Sequence, residues 1–383
     1  MAIPEERPRP DRRTIVVSAN SSWNIVNFRM GLLEGLARSG FRPIVIAPAD
    51  SYSEAITERG YEFRALPMSR SGMNPAADAL LLLRYYRLIR DCGAAAYLGF
   101  TIKPNIYGSI AARLAGAERI NNVSGLGTAF LQRAWLERLV SGLYRLAFRG
   151  SHTVFFQNSD DCNLFVEKGI VTARQAKLVP GSGVDLDRFR PASDEPGGLP
   201  TFLFIGRLLR DKGVREYAEA ARLLRSRLPE ARFQILGDLD PGNRTGIDRI
   251  ELQSWIDESG IEYLGHSEDV RPYVAMATAV VLPSYREGMP RVLLEAAAMA
   301  KPLVAADVPG SREIVVDGET GLLCTVRDAA SLALAMERIA AMPTPVRRAM
   351  GEAARTKVQA EFSEALVVDR YLATLLEVAG SDR

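Results

Sequence analysis

Cysteine, histidine and lysine are scarce in this chain, and each scarcity excludes something. Three cysteines in 383 residues, Cys92, Cys162 and Cys324, lie far apart with no C-x-x-C spacing. They make neither a disulfide framework nor a zinc pattern, and read as reduced thiols of a cytoplasmic protein. Only two histidines are present, and six lysines stand against 42 arginines. Apolar runs such as Ala79–Leu83 are far too short for a membrane-spanning helix. The opening MAIPEERPRPDRR is polar and proline-rich, so no signal peptide is expected. What is there is an ordinary globular composition, 47% hydrophobic and 25% charged. The length exceeds the roughly 250–300 residues at which one core stops growing, which predicts two domains.

Charge is unevenly shared. The first 190 residues hold 25 Lys and Arg against 17 Asp and Glu, a net +8; the remaining 193 hold 23 against 29, a net −6. A basic half suits an anionic ligand or surface on that side.

Strand and helix patterns alternate along both halves, the signature of parallel sheets with right-handed crossovers. In the first half, strands are expected at Thr14–Ala19, Pro43–Ala47, Ala95–Gly99, Arg119–Val123, Thr153–Gln157 and Lys177–Val179, and helices over Phe28–Arg38 and Ser53–Arg59. The segment RPASDEPGGLP, residues 190–200, reads as a linker. The alternation then restarts with strands at Thr201–Ile205, Arg232–Leu236, Ile261–Leu264, Ala279–Leu282 and Pro302–Ala305. The fold class is α/β: two doubly wound, Rossmann-like domains, expected to face each other across a cleft at their carboxyl strand ends. The boundaries are 1–190, 191–360 and a final helix over 361–383. Neither half opens with G-x-G-x-x-G, so a nicotinamide dinucleotide is not expected.

Two motifs carry chemistry. Gly206-Arg207 and Lys212-Gly213 follow the strand Thr201–Ile205. A tight turn bearing two cations at a strand's carboxyl end suits a diphosphate. The second is Glu287-Gly288-Met289-Pro290-Arg291-Val292-Leu293-Leu294-Glu295, after the strand Ala279–Leu282. Pro290 fits a first helical turn. The amides of Arg291, Val292 and Leu293 would then point out of a helix N-terminus, a good phosphate site.

The Arg-x4-Lys-Gly pair and Glu-x7-Glu together resemble the retaining nucleotide-sugar glycosyltransferases of family four, which have the GT-B fold. Tyr285 to Glu295, Ser21-Ser22-Trp23 and Thr101-Ile-Lys-Pro-Asn-Ile-Tyr-Gly108 resemble one bacterial subgroup. Its members extend sugars on polyprenyl-diphosphate carriers, for example by adding N-acetylgalactosamine to lipid-linked bacillosamine. The resemblance implies that Arg207 and Lys212 bind the donor diphosphate, Glu287 meets the donor sugar at the reacting face, and Glu295 binds the ribose hydroxyls. Gly206, Gly288, Met289, Arg291 and Val292 complete the donor side, and Gly265-His266 matches the stretch that packs on the base. On the acceptor side it points to Ser22, Trp23, Asn24, Thr101, Lys103, Asn105, Ser124 and Gly125. The first loop lacks the glycine pair common in the family. Thr101-Ile102-Lys103 stands where many members carry a histidine; Lys103 is expected to meet an acceptor phosphate or the leaving group. The final helix is expected to cross back to the first domain.

The implied reaction moves a sugar, an N-acetylhexosamine or hexose, from a nucleoside diphosphate, UDP, to a lipid-linked sugar with retention of configuration. Fixed cations favour the leaving diphosphate as its charge develops. No Asp-x-Asp is read in a suitable loop, so neither metal nor cofactor is expected, and no nucleic-acid partner is. The alternative is the same fold acting on a water-soluble substrate, as a small-molecule transferase or a sugar-nucleotide epimerase. A non-catalytic sugar-nucleotide binder is disfavoured by the presence of Arg207, Lys212, Glu287 and Glu295.

Residues 131–149 read as a basic amphipathic helix. Leu131, Trp135, Leu136, Leu139, Val140, Leu143 and Leu146 fall on one half of the wheel; Arg133, Glu137, Arg138, Ser141 and Arg145 fall on the other. Such a helix either packs on its own sheet or lies on an anionic leaflet, which would place the protein peripherally on the inner face of the cell membrane.

Overall fold

The computed structural model describes residues 11–69, 74–125, 134–192 and 198–380. Contacts divide the chain into two units, Met1–Ser182 with Ala365–Arg383, and Gly183–Glu364. The division falls before the expected linker because Gly183–Arg190 already belongs to the second unit. Val184 donates to the Phe362 carbonyl and accepts from the Glu364 amide, both at 3.0 Å. Phe189 is buried in the second core. Part of the expected linker, 193–197, lies outside the described residues.

The first unit is built on a parallel sheet: β1 (Asp11–Ser18), β2 (Arg42–Ala47), β3 (Glu62–Ala65), β4 (Ala94–Phe100), β5 (Glu118–Val123), β6 (Thr153–Phe156) and β7 (Ala176–Leu178). Its order is β3-β2-β1-β4-β5-β6-β7. Strands buried on both faces are continuously apolar, as Ile15-Val16-Val17 in β1 is. Ile15 and Val17 enter one core and Val16 the other. The final helix, Glu364–Gly380, packs into the first of these cores through Val367, Tyr371 and Leu375.

The second unit's sheet runs β8 (Thr201–Ile205), β9 (Arg232–Leu236), β10 (Ile261–Tyr263), β11 (Ala279–Leu282), β12 (Leu303–Ala306) and β13 (Gly321–Cys324), in the order β10-β9-β8-β11-β12-β13. Each sheet reverses direction of winding once, between β1 and β4 and between β8 and β11. In open α/β sheets, ligands bind outside the carboxyl strand ends at that switch point. The loops that leave β8 and β11 carry the cation pair and the Glu-x7-Glu motif.

Three local readings are corrected. The expected helix Phe28–Arg38 is two helices, Ser22–Phe28 and Met30–Arg38, broken at Arg29, whose φ is −133°. Arg29 is buried, its guanidinium 4.0 Å from the Phe100 ring centre, so the break turns a charged side chain into the core. The edge strands β3 and β13 escaped the pattern. β3 is half-exposed and carries Glu62 and Arg64, and β13 is four residues long and opens on a glycine. In the Ala134–Phe148 helix the buried side is Val140, Tyr144, Ala147 and Phe148. Ser141, placed on the polar half, is also buried, whereas Leu139 and Leu146 are 44% and 52% exposed. Leu131 and Arg133 lie outside the described residues.

Candidate active site

The two motif loops of the second unit are clasped together at its switch point. Tyr285 donates its amide to the Asp211 carbonyl at 2.9 Å. Its hydroxyl donates to Glu216 Oε1 at 2.7 Å, on the helix that opens after Lys212. Burial and the Glu216 carboxylate push the Tyr285 phenol up to about 12, and Arg327 covers its ring at 4.5 Å. Gly213 sits at φ +71°, and a Cβ there would lie 2.0 Å from the Pro283 carbonyl oxygen. The loops can approach this closely only because that residue has no side chain.

The clasp brings Lys212 Nζ to 2.5 Å from Glu287 Oε1; the Glu287 side chain is only 11% exposed. Arg207, 60% exposed, pairs with Asp240 at 3.0 Å. On the next helix, Arg291–Ala298, Arg291 Nε donates to Glu295 Oε1 at 2.7 Å. Burial raises the Glu295 carboxyl above the usual range, opposed by Arg291 and Arg188. Met289 and Val292 lean on the core beneath. Gly288 is held by close packing: a Cβ at Gly310 would meet its carbonyl oxygen at 2.5 Å. At the far side of the sheet, Gly265 turns at φ +72°, and His266 Nδ1 lies 2.9 Å from Asp238 Oδ2, both side chains exposed. Gly237 donates to the Gly265 carbonyl at 2.7 Å and packs onto the Gly206 carbonyl, so the β8, β9 and β10 ends form one backbone surface.

Two expectations change. Pro290 is the residue that caps the helix, not its first turn, and Leu293 donates its amide to the Pro290 carbonyl at 3.1 Å. Leu293 is thus removed from the set of outward amides. An Asp-x-Asp does occur at a strand end: Asp238-Leu-Asp240 follows β9. Its two carboxylates face separate cations or bases, His266 and Arg207, rather than one point. Among the described residues no group of three or more His, Cys, Asp or Glu is gathered for a metal.

In the first unit, the loops that leave β1 and β4 meet at its own switch point. Asn20 donates its amide to Thr101 Oγ1 at 3.2 Å. Thr101 has φ +67°, a left-handed conformation costly for a β-branched residue. Lys103 Nζ lies 2.8 Å from Asp78 Oδ1 and 3.1 Å from Ser69 Oγ, and Tyr107 donates to the second Asp78 oxygen at 3.0 Å. Trp23 is 42% exposed, its ring edge-on to Phe28. Ser22 and Asn105 are buried. Ser22 Oγ donates to the Pro48 carbonyl at 2.8 Å, and Asn105 Nδ2 to the Asn122 carbonyl at 2.7 Å. Asn24 donates its amide to Ser21 Oγ at 3.1 Å. Ser124 is exposed and donates to Asn122 Oδ1 at 3.1 Å; Gly125 turns at φ +129°. Leu126 and Gly127 of that loop lie outside the described residues. The sequence reading missed the carboxylates behind these groups: Asp78 behind Lys103, Asp240 behind Arg207, and Asp50, which accepts the Ser22 amide at 3.0 Å. Asp238-x-Asp240 was findable by its place after a strand; Asp50 and Asp78 pair across the fold and leave no local signal.

Two families match the chain in turn. The family described as glycosyl transferase 4-like matches residues 15–158, and glycosyl transferases group 1 matches 199–342. Over 372 residues, 92% of this chain and 96% of the relative, it is 25% identical to the N,N'-diacetylbacillosaminyl-diphospho-undecaprenol alpha-1,3-N-acetylgalactosaminyltransferase of Campylobacter jejuni. It is also 25% identical to an Escherichia coli UDP-Gal:alpha-D-GlcNAc-diphosphoundecaprenol alpha-1,3-galactosyltransferase, over 76% of this chain and 78% of the relative. Among solved structures, Anabaena Alr3699/HepE in complex with UDP and glucose superposes with a TM-score of 0.80 at 18% identity, covering 95% of this chain and all of that one. The chain belongs to the glycosyltransferases, its first half to the 4-like family and its second to group 1, and it is an enzyme of the GT-B fold.

Proposed function

We propose that this enzyme transfers an N-acetylhexosamine or hexose from UDP to a polyprenyl-diphosphate-linked sugar, with retention of configuration, in the assembly of a surface polysaccharide or glycoprotein glycan. The observation that carries the donor half is the Lys212–Glu287 pair at 2.5 Å, at the switch point between β8 and β11. As the sugar–phosphate bond breaks, the diphosphate gains charge and the sugar becomes oxocarbenium-like. Lys212 and Arg207 stabilise the first, and Glu287 lies beside Lys212 to meet the second. With Lys212 this close, Glu287 serves as a sugar ligand rather than a nucleophile. Glu295, anchored by Arg291, takes the ribose hydroxyls. The acceptor half is supported by the likeness, over 92% and 76% of this chain, to two transferases named for diphospho-undecaprenol-linked sugars. Lys103, held by Asp78, is the cation offered to the acceptor's phosphates. Screening UDP-, GDP- and ADP-sugars against lipid-linked and water-soluble acceptors tests the reading. Transfer to the lipid-linked sugar from a UDP donor is expected; turnover of soluble acceptors alone would overturn it.

Catalysis is proposed to need no metal, because the two carboxylates of Asp238-x-Asp240 are taken by His266 and Arg207. Activity should survive excess chelator. Loss that magnesium or manganese restores would show that Asp238 and Asp240 leave those partners to hold a cation.

The enzyme is also proposed to sit on an anionic leaflet. No helix among the described residues is long and apolar enough to cross a membrane. The Ala134–Phe148 helix exposes Leu139 and Leu146 beside exposed Arg138 and Arg149. The Pro75–Asp91 helix exposes Leu80 and Leu83 beside exposed Arg84, Arg87 and Arg90. Both pack on the same turn, Pro104–Gly108. Each basic residue near such a surface contributes about 1 kcal/mol, and salt screens it. The protein should co-sediment with phosphatidylglycerol vesicles at low salt and leave them at high salt. Arg145 is a poor target, since it holds the Lys168 and Gly169 carbonyls. Leu139→Glu with Leu146→Glu changes only exposed positions and should abolish binding. Indifference of the wild type to these vesicles would remove the leaflet from the reading.

A further inference from the structure

We propose that Tyr371, on the last helix, is a positioning residue for the acceptor-side loop: it fixes the Asn122 amide, and Asn122 holds Ser124, Gln157 and Asn105. The inference rests on the acceptor-side reading above. Asn122 is the penultimate residue of β5 and is fully buried. Its Nδ2 donates to the Tyr371 hydroxyl at 2.8 Å. Its Oδ1 accepts from Ser124 Oγ at 3.1 Å and Gln157 Nε2 at 3.3 Å, and its carbonyl accepts from Asn105 Nδ2 at 2.7 Å. One residue therefore joins the loop ends that leave β4, β5 and β6, through its side-chain amide to Ser124 and Gln157 and through its carbonyl to Asn105, at the edge of the sheet where ligands bind. Ser124 is the exposed tip of this otherwise buried cluster.

An asparagine amide has a donor end and an acceptor end of nearly the same shape. Turned end for end, Asn122 would aim Nδ2 at the Gln157 amide donor and withdraw the acceptor from Ser124. The Gln157 donor opposite Oδ1 sets which end is which, and the Nδ2 end is anchored by the Tyr371 hydroxyl, which accepts from it. It cannot drift, because the Tyr371 ring is buried with its centre 4.8 Å from that of Phe155 and 5.9 Å from that of Phe100. Burial pushes the phenol up to about 12, so the hydroxyl stays neutral through the working range. The last helix thereby has a task at the acceptor loop besides filling the core.

Tyr371→Phe removes the hydroxyl and keeps both ring contacts. A buried donor left without its acceptor is costly, and the amide relieves it by turning. The acceptor KM is expected to rise on the order of tenfold, with kcat, donor KM and slow hydrolysis of the UDP-sugar by water within about twofold. Asn122→Ala should raise the acceptor KM similarly, and the double variant should be no worse than Asn122→Ala alone. An unchanged acceptor KM in a folded Tyr371→Phe enzyme overturns the proposal. So does a parallel change in acceptor and donor constants, which would make Tyr371 a structural pin only. If the wild type hydrolyses UDP-sugar but transfers nothing to lipid-linked sugars, the functional reading fails on its own. Hydrogen exchange of residues 121–125 then decides the positioning: faster exchange confined to that segment in Tyr371→Phe upholds it, and no change overturns it.

Discussion

Lys212→Ala is expected to slow sugar transfer on the order of 10²–10³-fold, as the loss of one preorganised charge at a developing anion does. The effect should fall on kcat more than on donor KM, because the charge on the diphosphate grows as the bond breaks. Lys212 also neutralises Glu287, whose side chain is 11% exposed, so its removal leaves a nearly buried carboxylate without its lysine. Arg207→Ala is expected to raise the barrier by about 2–4 kcal/mol through the same loss of charge. Its side chain is 60% exposed and shared with Asp240, so it should lie at the lower end of that range. Steady-state kinetics on variants with wild-type melting curves checks both. Normal turnover in folded Lys212→Ala would remove the diphosphate from this loop.

The parts of the fold that were legible are those whose burial is nearly continuous. β8, β9 and β11 have the bounds expected of them, because TFLFI and AVVL are short, mostly apolar runs and RFQIL sets Phe233, Ile235 and Leu236 among polar residues, each between turn signals. The Lys212 and Glu287 loops were legible for the same reason: each follows one of these strands, and a strand's carboxyl end fixes where its loop emerges. What was not legible depends on partners distant in sequence. Phe28–Arg38 has one helical period, yet the chain breaks at Arg29 so that its guanidinium can lie on Phe100, 71 positions on. The apolar half of the Ala134–Phe148 wheel was readable, but which part faces the sheet was not. Tyr144 packs on Phe148 and Phe165, which in turn meets Phe156, and Leu139 and Leu146 are left outside. Asn122 and Tyr371 are 249 positions apart, and no local pattern joins them.

Gly213→Ala is expected to damage both stability and nucleotide binding, and the two should fall together. The residue sits at φ +71°, where any side chain costs roughly 1–2 kcal/mol. The new Cβ would also lie 2.0 Å from the Pro283 carbonyl oxygen and 2.6 Å from its carbon. Those are backbone atoms at the end of β11, so no rotamer change relieves the contact; such overpacking adds about 1–3 kcal/mol. A loss of about 3 kcal/mol should lower Tm by roughly 6–12 °C in a unit of this size. To make room, the Pro283–Gly288 loop must retreat, which draws Glu287 from Lys212 and loosens the Tyr285 hold on Asp211. Gly318→Ala is the comparison. Its φ is +80° but the space beside it is open, and it lies outside the proposed donor site, so it should show the conformational cost without the clash. Thermal melting and calorimetric titration with UDP on both variants separate the two costs. If Gly213→Ala melts and binds like Gly318→Ala, the close approach of the two loops does not hold the site together.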